Sequence, residues 1–160
     1  MPTSFSTLID HYAAGGSALR PAIASLTRDD CLARPGPGDW SIQELVIHLA
    51  DSDQIAADRM KRVIAEDNPT IIGFNESLFI ANLFSDEQSL DDAVTVFEAN
   101  RRQMTRILRR LDAAAFTRTG SHNEAGTLTL TDLLRIYIDH LEHHLTFLFQ
   151  KRERLGKPMG

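Results

Sequence analysis

The stretch Pro35-Gly36-Pro37-Gly38-Asp39-Trp40-Ser41-Ile42-Gln43-Glu44-Leu45-Val46-Ile47-His48-Leu49 decides the fold. Its first five residues break regular structure, because proline lacks a backbone donor and glycine accepts turn conformations. Ser41 then offers a side-chain oxygen to a free helical N–H, and Glu44 stands three residues on, the spacing of a capping box. From Ile42 the apolar positions Leu45, Leu49, Ala56, Met60 and Val63 recur at helical spacing, so a long helix reaching Glu66 is expected.

Working outward, nearly every periodic segment has helix spacing, and strand alternation is scarce. Upstream, a helix starts near Ser4 and runs toward Leu26, weakened by Gly15 and Gly16, with Pro21 opening a second segment. Thr27 followed by Asp29 and Asp30 reads as a fresh N-cap. Downstream, Asn68-Pro69-Thr70 stops the long helix, Ile71-Ile72-Gly73 reads as a link, and a short helix covers Glu76 to Leu83. Ser89 opens another long helix with a near-heptad of Leu90, Val94, Phe97, Met104, Leu108 and Leu111. Arg101 interrupts that heptad at a core-type position, as a polar contact in the core or a shift of phase. Residues 112–128, with the turn formers Thr117, Gly120, Ser121, Asn123 and Gly126, read as irregular. Thr129 or Thr131 caps a last helix running to about Arg154, where Lys151, Arg152 and Arg154 complement its dipole and Gly156-Lys157-Pro158 ends it.

The expected fold class is therefore all-α, a four-helix bundle with short extra helices, forming one domain over residues 1–160. The links near 34–40, 67–75 and 112–128 are long enough for a crossover. A composition of 42% apolar and 24% charged residues suits a packed core and argues against disorder. Seventeen basic against twenty-two acidic residues leave a net charge of −5, which disfavours binding to nucleic-acid backbones. Arg101, Arg102, Arg106, Arg109 and Arg110 cluster on one helix, with Glu98 and Asp112 among them, and read as a solvated face. The N-terminus shows no signal-peptide pattern, and no apolar run approaches the length needed to span a bilayer, so a cytoplasmic protein away from membranes is expected. The single cysteine, Cys31, excludes an internal disulfide and fits a reducing compartment. Its neighbours Asp29 and Asp30 disfavour a thiolate nucleophile.

Six histidines are present. Asp139-His140-Leu141-Glu142-His143-His144 offers an i, i+4 pair, His140 and His144, and also an i, i+3 pair, His140 and His143. Helix phase chooses between them. At about 100° per residue, the stripe Leu134, Ile138, Leu141, Leu145 and Leu148 marks the core direction. His144 lies roughly 80° and His140 roughly 120° from Leu134 on one side, while His143 points about 180° away. His48 sits about 60° from Leu45, at the edge of its own stripe. Three neutral imidazoles from two facing helices leave a fourth position open, as in catalytic zinc sites. Glu44, Asp51 and Ser52 lie about one turn from His48 and are candidate partners of its ring.

Residues 35–53 resemble the signature of the DinB/YfiT-like superfamily, in which a Trp-Ser dipeptide, here Trp40-Ser41, precedes a helix supplying the first metal histidine. Gly126-Thr127-Leu128-Thr129-Leu130, leading into His140-Leu141-Glu142-His143-His144-Leu145, is similar to the family's closing helix, whose H-x3-H supplies two more. Leu8-Ile9-Asp10-His11-Tyr12 and Leu32-Ala33-Arg34-Pro35 are similar as well. The resemblance implies a four-helix bundle of unusual connectivity, often a homodimer. It implies a site for one divalent ion, such as zinc, nickel or iron, at His48, His140 and His144. Members are described as metal-dependent hydrolases, and some are thiol-dependent transferases or isomerases that use bacillithiol, mycothiol or glutathione as cosubstrate.

Two function classes follow. In the first, the chain is an enzyme acting on a small molecule, with a water or a low-molecular-weight thiol activated at the open position; Glu44, Asp51 and Tyr137 are the nearest candidate proton handlers. In the second, the site serves a non-catalytic, stress-associated metal-binding or dimeric scaffold module, which a fourth protein ligand such as Glu44 would favour. Trp40 is expected to be a packing anchor, with pocket lining as the alternative. His11 is not expected to be a ligand. His122, in a polar loop, would act only by reaching over the site.

Overall fold

The computed structural model describes residues 4–160. Its helices are α1 (Phe5–Gly15), α2 (Leu19–Ala22), α3 (Arg28–Leu32), α4 (Ile42–Ala65), α5 (Glu76–Asn82), α6 (Leu90–Leu108) and α7 (Leu130–Arg154). Three short strands, β1 (Thr70–Ile71), β2 (Thr119–His122) and β3 (Gly126–Thr129), complete the element list with two 3-10 turns, Ser85–Glu87 and Ala113–Thr117. Helices α1, α4, α6 and α7 form the bundle, with α4 and α1 each packed against both α6 and α7. No helix among the described residues is long and apolar enough to cross a membrane.

Side chains that satisfy free N–H groups begin the helices. Ser4 accepts from Thr7 N, Ser41 from Glu44 N, Asn75 from Leu78 N and Ser89 from Asp92 N. Thr27 with Asp30 and Thr129 with Asp132 form complete, reciprocal capping boxes. The box expected at Ser41 is only half made. Glu44 leaves the cap to pair with Arg34, whose Nη1 donates to its Oε2 at 2.9 Å. Gly15 and Gly16 end α1 rather than bend it, and the chain restarts at Leu19.

The expectation of irregular structure over 112–128 gives way to a sheet. β1 pairs in parallel with β2, and β2 antiparallel with β3. Its strands are too short and too polar to show a period of two. Gly120 is required there: a Cβ would meet Ile71 Cδ1 at 2.5 Å. The sheet joins the chain just after α4 to the chain just before α7, and these helices run antiparallel, with Met60 and Val63 beside Leu130 and Leu133 at one end and Ile42 and Leu45 beside Leu148 at the other.

The core lies in two halves. Tyr12, Met60, Val63, Leu108, Phe116 and Leu133 fill one end, and Leu19, Ile42, Leu45, Phe97 and Leu148 fill the other. Residues Ile42 to Ala50 are buried on every face of α4, because α3, α5 and the Ser85–Glu87 turn cover the side that the bundle leaves open. Gln43 fastens this cover by donating to Ser85 O and Gln88 O.

Between the two halves sits Arg101, the residue that broke the heptad. Its Nε donates to Asp53 Oδ1 at 2.8 Å, Nη1 to Tyr12 O and Nη2 to Tyr137 O, both at 3.1 Å. One guanidinium on α6 thus ties α1, α4 and α7 together, with both charged side chains at most 3% exposed. Removing one member of such a pair strands a buried charge. Asp53→Ala should cost about 3–5 kcal/mol in urea denaturation; a loss below about 1 kcal/mol would show that the guanidinium does not hold the bundle together.

Candidate metal centre

α4 and α7 bring His48, His140 and His144 together. Each offers one ring nitrogen, and the three nitrogens lie within 4.8 Å of one another. His48 Nε2 is 3.1 Å from His140 Nε2. Two nitrogens each about 2.05 Å from a tetrahedral ion stand about 3.3 Å apart, so this spacing fits a shared metal. The rings meet edge to face, with centroids 4.5 to 5.0 Å apart. His48, at the edge of the apolar stripe of α4, is only 2% exposed because Trp40 and Glu76, from the chain before α4 and from α5, stand over its ring.

Burial dominates the electrostatics. It pushes the pKa of His48 down to about 3, with His140 and His144 adding to the effect. Burial likewise takes His140 to about 4, with help from His144, Arg101 and His143. It takes His144 to about 4 with help from His143. All three rings are therefore neutral at pH 7, the form that carries a lone pair for a metal. Ser52 Oγ lies against the His48 ring, 3.4 Å from Nδ1 and 3.5 Å from Nε2, so it touches the ring edge without selecting one nitrogen.

The candidate proton handlers fare differently. Glu44 is engaged by Arg34, which leaves the three histidines as the donor set. Asp51 keeps Oδ2 buried without a hydrogen-bond partner, and burial raises its pKa. Tyr137 turns its ring edge toward His140 at 6.5 Å between centroids, while its hydroxyl accepts from Arg59 Nη1 at 2.8 Å. His143 is exposed and packs on Phe147. His11 pairs with Glu142 at 2.5 Å, and His122 accepts from the N–H groups of Glu124 and Ala125 in the β2–β3 turn. Cys31 is buried, and burial raises its pKa, so it is no ready nucleophile.

One carboxylate went unread in the sequence. Glu76, the first residue of α5, places Oε2 3.8 Å from His48 Nε2 with its side chain 55% exposed. It comes from the short helix, and no spacing links it to either histidine motif. Trp40 serves both of the roles weighed for it. Its ring packs 4.8 Å from that of His48, and it lines a cleft of about 230 Å³ with Leu45, Ser77, His144, Phe147 and Lys151.

The sequence profile of the DinB superfamily matches residues 11–148. A protein of Oceanobacillus iheyensis, provisionally named a metal-dependent hydrolase, is 31% identical over 111 residues, which cover 69% of this chain. The match spans 64% of that relative's own length, just under two thirds. A Bacillus mycoides protein of the same description is 28% identical over 119 residues, covering 74% of this chain and 68% of its own. Among solved structures, YfiT from Bacillus subtilis is described as a probable metal-dependent hydrolase with an unusual four-helix bundle topology. It superposes with a TM-score of 0.90 at 22% identity, over 98% of this chain and 90% of that one. At that identity the likeness concerns the fold.

A folded-state pKa below the ordinary 6.5 means that the unfolded chain takes up protons first as pH falls. The metal-free chain should hold its stability above about pH 6.5 and lose it progressively toward pH 5. Urea titrations across that window should show the fall, and His48→Leu should make it shallower while the shares of His140 and His144 remain. Equal slopes in the parent and His48→Leu would mean that His48 is not buried neutral.

Proposed function

The chain belongs to the DinB superfamily, and on that premise we propose that it is a metal-dependent enzyme whose three-histidine centre activates water or a low-molecular-weight thiol against a small substrate. The observation that carries this reading is the convergence of three neutral imidazole nitrogens within 4.8 Å, one of them on His144 at the wall of a cleft. A divalent ion held there supplies Lewis acidity, which lowers the pKa of a water or a thiol and polarises a carbonyl.

The chain's own residues supply the rest. Glu76 stands on the solvent side of His48, where an incoming water or thiol can hand it a proton. Ser52 packs its hydroxyl against the His48 ring. Arg59 occupies the Tyr137 hydroxyl, which leaves Glu76 as the freer acid–base group. Trp40 and Phe147 give the cleft apolar walls, and its volume of about 230 Å³ suits a small molecule.

Metal-loaded protein should turn over either an activated ester or an electrophile supplied together with a thiol, and the two assays separate water from thiol as the nucleophile. A chelator should abolish turnover, and added divalent ion should restore it. Glu76→Gln should lower kcat about 10²-fold with the metal stoichiometry unchanged. An undiminished kcat would remove Glu76 from the chemistry. A fully loaded protein inert in both assays would favour a non-catalytic metal-binding module.

A further inference from the structure

Lys151 and Arg152 stand in the last turns of α7, where cations complement the helix dipole, and both are buried. Arg152 is spent on chain carbonyls, donating to Ala22 O, Ala24 O and Lys157 O. Lys151 differs. Only 2% of it is exposed, and its ammonium donates to Pro37 O at 2.5 Å and Trp40 O at 2.6 Å. An ammonium has three donors, so one remains. No carboxylate among the described residues lies within 4.0 Å of it. The nearby Glu44 is committed to Arg34, and Asp39 is exposed at the rim of the cleft. A buried cation without a counter-ion is costly, and burial accordingly weakens its hold on its proton.

The position of Lys151 gives this charge a use. It lines the same cleft as His144, with Trp40, Leu45 and Phe147 between as apolar wall. His144 and Lys151 are seven residues apart on α7, two turns on one face, or about 10 Å along the axis. The cleft's volume of about 230 Å³ equals about eight waters at roughly 30 Å³ each.

We propose that the cleft binds a small monoanion with a flat apolar body, its carboxylate seated on Lys151 and its reactive end directed toward His144. This rests on the reading of the cleft as the substrate site, and it adds the substrate's charge and polarity. The carboxylate accepts the free N–H of Lys151 and supplies the contact counter-charge that Glu44 and Asp39, both beyond 4.0 Å, do not. The aromatic or aliphatic body stacks on Trp40 and Phe147. A neutral analogue would leave the ammonium uncompensated, so recognition discriminates by charge more than by shape.

Trp40 is the only tryptophan, so its fluorescence reports on the cleft directly. The probes are 3-phenylpropionate and its neutral amide, titrated into the full-length chain at pH 7.5, with metal content measured on the same samples. The acid should quench Trp40 saturably and bind at least tenfold more tightly than the amide. The same preference should hold in His140→Ala, which separates this site from the metal centre: a chain that takes up no ion still prefers the acid. Lys151→Met should erase the preference, and Lys151→Arg should keep most of it, with circular dichroism confirming the helices in both. Equal affinities for acid and amide, absence of saturable quenching, or an acid preference that survives in Lys151→Met would overturn the proposal.

Discussion

Arg101 holds the bundle at the point where four helices meet. Its guanidinium spends its donors on Asp53 of α4 and on backbone carbonyls of Tyr12 in α1 and Tyr137 in α7. Asp53 lies five residues after His48, and Tyr137 three before His140. The contact that joins α4 to α7 is therefore within about two turns of both histidine motifs. A planar fork with five donors can reach three helices at once, which a lysine ammonium on a single flexible stem cannot do as rigidly. Buried ion pairs are a poor source of net stability, but they fix register. Here the register decides whether three ring nitrogens converge or miss.

His48 is buried because α4 is sheathed along its first turns, while His140 and His144 stay half-buried, with His144 at the wall of the cleft. α5 and the Ser85–Glu87 turn lie over Ile42 to Ala50, and Gln43 ties that cover down. Burial and the neighbouring rings keep the imidazoles neutral, and neutral imidazoles are what a divalent ion requires. Burial, which would make three facing lone pairs unfavourable in an empty site, is thus the same factor that prepares them for a cation. On the open side the chemistry changes. Glu76 remains half in solvent, and the cleft along α7 ends at a lysine with no carboxylate within 4.0 Å among the described residues.

Much of this arrangement is legible in the chain. The capping residues Ser4, Thr27, Ser41, Ser89 and Thr129 mark five helix starts where they are observed. Helix phase alone separates His140 and His144 from the outward His143. The interruption of the heptad by Arg101 fits either a polar contact in the core or a shift of phase, and the solvated face expected for the Arg101–Arg110 cluster fails at Arg101, which is buried against Asp53. Other features depend on paths that local pattern does not encode. The three strands are two to four residues long, so alternation has no room to appear. Glu44 fits the capping-box spacing, but Arg34 competes for its carboxylate and wins with two donors. Glu76 reaches His48 only because residues 66–75 fold back along α4. The basic run 151–154 follows the dipole rule, yet the loop before α4 draws Lys151 inward to its carbonyls.

The central claim is that these three histidines hold one divalent ion. Elemental analysis of untagged protein, alongside a His48→Ala, His144→Ala double variant, tests it most directly. About one equivalent of a divalent metal in the parent and none in the variant is the expected result, since one remaining histidine cannot replace a three-nitrogen donor set. A parent chain that takes up no ion even after zinc, nickel and iron are added back would contradict it, as would a double variant that keeps the full equivalent.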